Sequence, residues 1–198
     1  GAQEPGMTPT PRKAVLLLTA AIDTDPGMPG NLRGAPALRR ADYRTALAHY
    51  IEAAPADLCD TILFCENTGA DLSEFEAMVD AAERSGKRLR FLSFRATMPP
   101  SEGKGVCEFE ILDRAHDLLA ESEPPDTPVW KVTGRLIVKN IAAMMRSRPD
   151  KAAIYADMRS VPMIGERLGG NDWAEMLLLC YTLAGSSAHL RGHGADFG

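Results

Sequence analysis

Residues 14–18, Ala-Val-Leu-Leu-Leu, form an unbroken apolar run with no polar position left for solvent. Such a run suits a strand covered on both faces, and therefore a parallel sheet. Related runs follow at 61–65 and 89–94, and β-rich stretches fall at 129–133 and 152–156. Between them the period changes to that of helices. Residues 38–54 place Tyr43, Leu47, Tyr50, Ile51 and Ala54 on one stripe and Arg40 and Arg44 on another, with Pro55 as the stop. A second helix is expected after Asp71, which can cap it with Glu74 three residues on. It would bury Leu72, Phe75, Met78, Val79 and Ala82 and stop at Gly86. A third runs over 106–121 with Phe109, Leu112, Ala115 and Leu119 inward; His116 falls beside that stripe, as a boundary or core histidine rather than a catalytic base. Residues 136–147 can continue as strand or turn into a helix ended by Pro149, the helix being preferred. A last helix is expected over 172–183, capped by Asp172 with Glu175, its core side carrying Trp173, Leu177, Cys180 and Tyr181.

Strands and helices alternate throughout, which predicts one three-layer, Rossmann-like α/β domain with a mostly parallel sheet and right-handed crossovers. The domain is expected over 12–184. Residues 1–11 read as a tag remnant (GAQEPG ahead of Met7) and a Pro-rich leader, and 185–198 as a polar, Gly-rich, flexible tail.

Composition narrows the class of partner. The 198 residues are 45% hydrophobic and 25% charged, which fits a single globular domain. Net charge is −5 and the 22 Lys and Arg are scattered, so no basic face for nucleic acid is expected. The longest apolar runs, 14–22 and 176–184, fall short of the ~20 residues that span a bilayer. Four cysteines without a CxxC pair sit mostly in apolar segments, as reduced thiols do. These features lead to the expectation of a cytoplasmic protein, with peripheral association at the inner face of a membrane compatible with them.

In an open α/β sheet, ligands bind at the carboxyl ends of the strands. That rule gathers the candidate chemistry. Val129 to Arg135 (VWKVTGR) places Lys131, Thr133, Gly134 and Arg135 together; cations beside a backbone that only glycine opens suit a phosphate or carboxylate. Asp23 and Asp25 spell DxD in a loop whose Pro and Gly equally suit plain turn chemistry. Glu66, Asn67, Thr68 and Gly69 follow a buried strand, and Arg95 follows the next one. Gly103, Lys104 and Gly105 at a helix entrance can nest a phosphate, with Glu108 just beyond. Asp157 and Arg159 end the 152–156 strand. His189 and His193 have helical metal-pair spacing, but Gly192 intervenes and no acid accompanies them, so no metal site is assigned.

The succession of ILFCENTG (62–69), GKGVCEFEIL (103–112), WKVTGRLIVKN (130–140) and YADMR (155–159) resembles GT-A-like glycosyltransferase-type proteins of bacterial surface (capsular/O-antigen) polysaccharide clusters. The resemblance covers roughly residues 14–159. It implies a nucleotide-sugar donor held by Thr19 to Asp23 and by Glu66 to Gly69, and a glycan or lipid-linked acceptor. The GT-A pattern places an acidic DxD where this chain has Lys-Val-Thr-Gly-Arg. By that comparison Lys131 and Arg135, with Lys104, would neutralise the leaving diphosphate directly, which puts a divalent metal in doubt. Inverting transfer also needs a base on the acceptor hydroxyl: Asp157, with Glu108 in reserve. Retaining transfer needs none. Two other readings stand: a different nucleotide-binding transferase that uses the GKG loop, and a non-catalytic binding or assembly protein on a degenerate transferase fold.

Overall fold

The computed structural model describes residues 12–24, 35–97, 104–159 and 173–192; at 104–105, 157–159 and 173–175 only the backbone is described. The elements run β1 (Ala14–Ala20), α1 (Pro36–Ala53), β2 (Cys59–Glu66), α2 (Ser73–Glu76), α3 (Val79–Arg84), β3 (Arg88–Ser93), α4 (Lys104–Ala120), β4 (Pro128–Thr133), α5 (Ile141–Ser147), β5 (Ile154–Arg159), β6 (Trp173–Thr182) and α6 (Leu183–His189).

They build a three-layer α/β fold on a six-stranded sheet of order β3-β2-β1-β4-β6-β5. β3, β2, β1 and β4 are parallel, and β6 runs antiparallel to both of its neighbours. Every residue of β1 is buried, as its uninterrupted apolar run requires of a central strand. The chain leaves β1 towards β2 and β3, then returns through α4 to the other side of β1. The seam between β1 and β4 is therefore the topological switch point.

Alternation along the strands divides the core. On one face Leu16, Leu18, Ile62, Phe64, Trp130, Val132 and Cys180 pack with α1, α2, α3 and α5. Phe64 is central there, edge-on to Tyr43 and stacked on Phe75 at 5.1 Å between centroids. On the other face Val15, Leu17, Leu63, Cys65, Val129, Leu179 and Tyr181 pack under α4 and α6. α1 takes Pro36 in its first turn, where the missing N–H costs nothing. Its last turn is capped from outside: Lys87 Nζ donates to the carbonyls of Ile51 (2.9 Å) and Ser85 (3.2 Å).

The expected second helix is divided at 77–78 into α2 and α3. Asp71 folds back on Ser73, accepting its N–H at 2.9 Å, and the short α2 that follows has no side-chain cap. Gly86, at φ +71°, ends α3 as the sequence indicates.

The expected last helix is a correction. Residues 173–182 form β6, between β4 and β5, and the helix begins only at Leu183. Leucine and methionine favour helices weakly, and pairing on both edges overrides that preference. The period is accordingly two: Leu179 and Tyr181 enter one core, Leu178 and Cys180 the other, and Leu177, expected inside, is 47% exposed. Gly185, at the start of the expected tail, is buried within α6; a Cβ there would run into the Ala153 carbonyl oxygen. The cysteines are free, and burial pushes the Cys59 thiol up to about 11 and Cys180 to about 12, which makes them packing groups.

His116 joins α4 to α6, its Nε2 3.2 Å from Ser187 Oγ. Burial and then Arg191 hold its pKa below the ordinary 6.5, against Asp117 and Asp113. The folded chain therefore binds fewer protons here than the unfolded chain just below pH 6.5, and this contribution to stability is lost as pH falls through that window. Thermal unfolding between pH 7 and pH 5 should show a shallower fall in Tm for His116→Gln than for the parent chain. Equal slopes would assign the acid sensitivity to other groups.

Candidate functional site

Glu66 ends β2 and is fully buried. Its Oε1 accepts the N–H of Ile22 (3.0 Å), the N–H of Thr68 (2.9 Å) and the Thr68 hydroxyl; its Oε2 accepts the N–H of Ala70 at 2.9 Å. The Ser93 hydroxyl lies 3.3 Å from Oε2 and 3.0 Å from the Ala70 carbonyl. Thr68 Oγ1 in turn accepts the N–H of Asp23 at 3.0 Å. A single carboxylate thus ties the exits of β1, β2 and β3. Placed by sequence in an open ligand loop, Glu66 is instead the inner clasp of that loop.

Helix α1 braces the same exit. Arg39 Nε donates to the Ala21 carbonyl at 2.6 Å, and Tyr43 Oη accepts the Ala21 N–H at 3.0 Å. Arg40 lies 3.6 Å from Asp23 and 2.9 Å from Glu74. Sequence reasoning named Arg40 and missed the buried Arg39, although its i, i+4 relation to Tyr43 on the inward stripe was a usable signal. Across the switch point Gly134 donates its N–H to the Thr19 carbonyl at 2.8 Å. A Cβ on Gly134 would meet that oxygen at 2.7 Å and the Tyr43 ring at 3.3 Å, so the β1/β4 seam needs glycine there.

On the α4 side of the seam, Lys131 lies in register with Leu17, and Thr133 with Thr19. The Lys131 side chain is wholly buried. Its Nζ pairs with Glu108 Oε1, donates to the Met176 carbonyl and lies 3.5 Å from Thr133 Oγ1. Glu108 is partly exposed, and Thr19 Oγ1 donates to the same Oε1 at 3.3 Å. Burial pushes the Lys131 pKa down, and the Glu108 charge and hydrogen bond oppose it. The cation expected to face a phosphate here holds a carboxylate in place.

Asn67, 7% exposed, stands beside this group at the start of α4, its Nδ2 3.5 Å from the Cys107 carbonyl. Its buried Oδ1 has no partner among the described residues. Glu110 Oε1 accepts the Thr97 N–H at 3.1 Å and its hydroxyl at 2.8 Å, fixing α4 to the loop after β3. Arg95 is exposed in that loop, bridged through its backbone to Thr68 and packed beside Gly69, whose φ is +71°. Arg135 is exposed on the turn after β4.

The structure thus brings Thr19, Asn67, Glu108, Lys131 and Thr133 together. Asp157 and Arg159 close β5 at the same edge, with only their backbone described; the same holds for Lys104 and Gly105 at the start of α4. Asp25, Gly103 and His193 lie outside the described residues. Among the described residues there is no cluster of three metal-ligating side chains, and no helix is long and apolar enough to cross a membrane.

No family model matches the chain, and no curated protein matches it. Among solved structures, a similar one is the UDP-glucose pyrophosphorylase complexed with UDP-glucose, at TM-score 0.42 and 8% identity, covering 86% of this chain and 76% of that one.

Two expectations test the site's construction. Glu66→Ala leaves four protein donors without their acceptor and should destabilise the fold by at least about 3 kcal/mol, with faster hydrogen exchange at Ile22, Thr68 and Ala70. Retained protection at those amides would mean that the clasp is dispensable. Lys131→Met strands Glu108 beside apolar atoms and should cost about 2 kcal/mol, part of it recovered in Lys131→Met/Glu108→Gln. A urea-denaturation double-mutant cycle with zero coupling would contradict the pair.

Proposed function

We infer that this chain binds a nucleotide sugar along the carboxyl edge of its sheet and transfers the sugar to a glycan or lipid-linked acceptor, as in the making of a bacterial surface polysaccharide. The observation that carries the reading is the polar group at the β1/β4 switch point. Thr19, Asn67, Glu108, Lys131 and Thr133 converge where a doubly wound sheet presents its ligand crevice. Asn67 Oδ1 offers a desolvated acceptor suited to an N–H or O–H of the donor. Thr19 and Lys131 both engage Oε1 of Glu108, so Oε2 is placed for an acceptor hydroxyl. Asp157, the base expected from the sequence with Glu108 in reserve, becomes the alternative in this reading. Arg135, with Lys104 and the Gly103 and Gly105 backbone, supplies the charge facing the departing diphosphate. Asp23, Thr68, Gly69, Arg95 and Arg159 line the rest of the edge.

One observation favours binding without transfer. The three hydrogens of Lys131 face Glu108, Met176 and Thr133, and this spends the best-held cation within the protein. Turnover separates the two readings.

The test is a thermal-shift panel of UDP, GDP, CDP, CMP and their common sugars, with and without Mn²⁺. A nucleotide at a hundredfold excess over its Kd should add about 2.7 kcal/mol of stability, or about 5–10 °C in Tm for a chain of this size. The shift should persist in chelator and shrink in Asn67→Ala. Product formation from the stabilising nucleotide sugar should then fall about a hundredfold or more in Glu108→Gln with little change in donor affinity. Stabilisation by no nucleotide would reject the reading, and a shift lost in chelator and restored by Mn²⁺ would move the phosphate contact to a metal.

A further inference from the structure

The helical layer over β6 carries a second polar group, unrelated to the carboxyl edge. Ser187 is exposed on α6, and its Oγ lies 3.2 Å from Nε2 of His116 on α4. Thr182 pairs with Pro128 at the start of β4, so α6 begins at the amino edge of that strand, away from the switch-point residues. His116 itself lies eight residues beyond Glu108, roughly 12 Å along the helix.

Several features distinguish this contact from an incidental surface hydrogen bond. The His116 ring is 4% exposed and is held between α4 and α6, so its Nε2 has one direction in which to point. Its Nδ1 is buried with no partner among the described residues, and neither has the buried hydroxyl of Tyr181 on the β6 strand beneath. Asp113, one turn before His116, is an electrostatic neighbour of both rings. Arg191 opposes a charge on the imidazole but is itself paired with Asp117. The ring is therefore neutral near pH 7, while two carboxylates stand close enough to stabilise an imidazolium that forms for a moment. With its proton on Nδ1, Nε2 accepts the Ser187 hydroxyl.

The geometry points to Ser187 as a nucleophilic serine that accepts an acyl or phosphoryl group from an activated ester, with His116 as its base. In that step Oγ attacks the carbonyl carbon or the phosphorus, and the new O–C or O–P bond replaces the bond to the leaving group, which departs with its electron pair. The Ser187 proton passes to His116 Nε2 and from there to the leaving group. Histidine is thus returned neutral and the serine remains as an ester. Asp113 acts through His116 and is a positioning residue. The site does not depend on nucleotide-sugar binding.

The experiment uses a fluorophosphonate probe, whose fluoride is the leaving group, on the full chain, with the labelled residue located by peptide mass spectrometry. Ser187 should be the labelled serine, and Ser187→Ala, an exposed change that leaves the circular dichroism spectrum intact, should abolish the signal. His116→Gln should slow labelling at least tenfold. If that variant does not fold, Asp113→Asn takes its place, with at least a threefold slowing expected. An unlabelled Ser187 in the folded parent chain, or rates within those margins in the folded variant, would overturn the proposal.

Discussion

The buried carboxylate of Glu66 is the constraint on which the carboxyl edge of the sheet depends. An acidic side chain withdrawn from water costs several kcal/mol unless donors surround it. Here the donors come from the segments after β1 and β2, with the Ser93 hydroxyl at the end of β3 alongside. Those segments are satisfied together in one arrangement. With Ile22 held, Ala21 meets Arg39 and Tyr43, and the Tyr43 ring comes within reach of Gly134 at the end of β4. The clasp extends in this way to the switch point, although Glu66 itself touches nothing on β4.

Glu66 and Lys131 illustrate two solutions to burying charge. Glu66 lies on the α1 side of the sheet and is met by backbone and hydroxyl dipoles, which fill both oxygens and close the position to ligand. Lys131 lies on the α4 side and is met by an opposite charge, Glu108, which reaches the surface. One arrangement gives rigidity, and the other passes a fixed charge outward. The Thr19 hydroxyl adds a second contact to the same Glu108 oxygen, so the carboxylate is positioned from β1 and β4 at once.

Much of this was legible in the sequence because periodicity is a backbone property. The apolar run of β1 and the stripe of α1 each allowed a single reading. Location at the carboxyl edge was legible too, since it follows from strand direction. Side-chain orientation was less so. Lys131 shares its face with Val129 and Thr133 and alternates with Trp130 and Val132 on a strand covered on both faces, so its burial was implicit in its register, yet an isolated Lys beside Gly and Arg reads as an exposed anion ligand. The Met176 carbonyl that receives it belongs to a segment read as helix. Met-Leu-Leu-Leu-Cys-Tyr carries both periods, and only its place between two strands decides the outcome. Glu66 was read as a ligand contact for a related reason: residue type shows that a carboxylate needs donors, and it does not show that the protein supplies them all.

The same alternation bears on where chemistry can occur. Chemistry needs a group held in place that keeps an open coordination direction. Glu66 is held and closed, and Arg135 is exposed without a comparable hold. Glu108 and Asn67 meet both conditions, and both lie against the first turns of α4, where the Thr97–Glu110 contact pins the helix to the loop after β3. In the proposed reading the reactive side of the carboxyl edge is therefore the α4 face, with the α1 face acting as its support. Helix α4 then has a division of its own: its amino-terminal turns present Glu108 to the sheet edge, while two turns further on His116 faces α6. A change that shifts α4 along its axis would disturb the first through Lys131 and the second through Ser187, so both sites require the position of this helix.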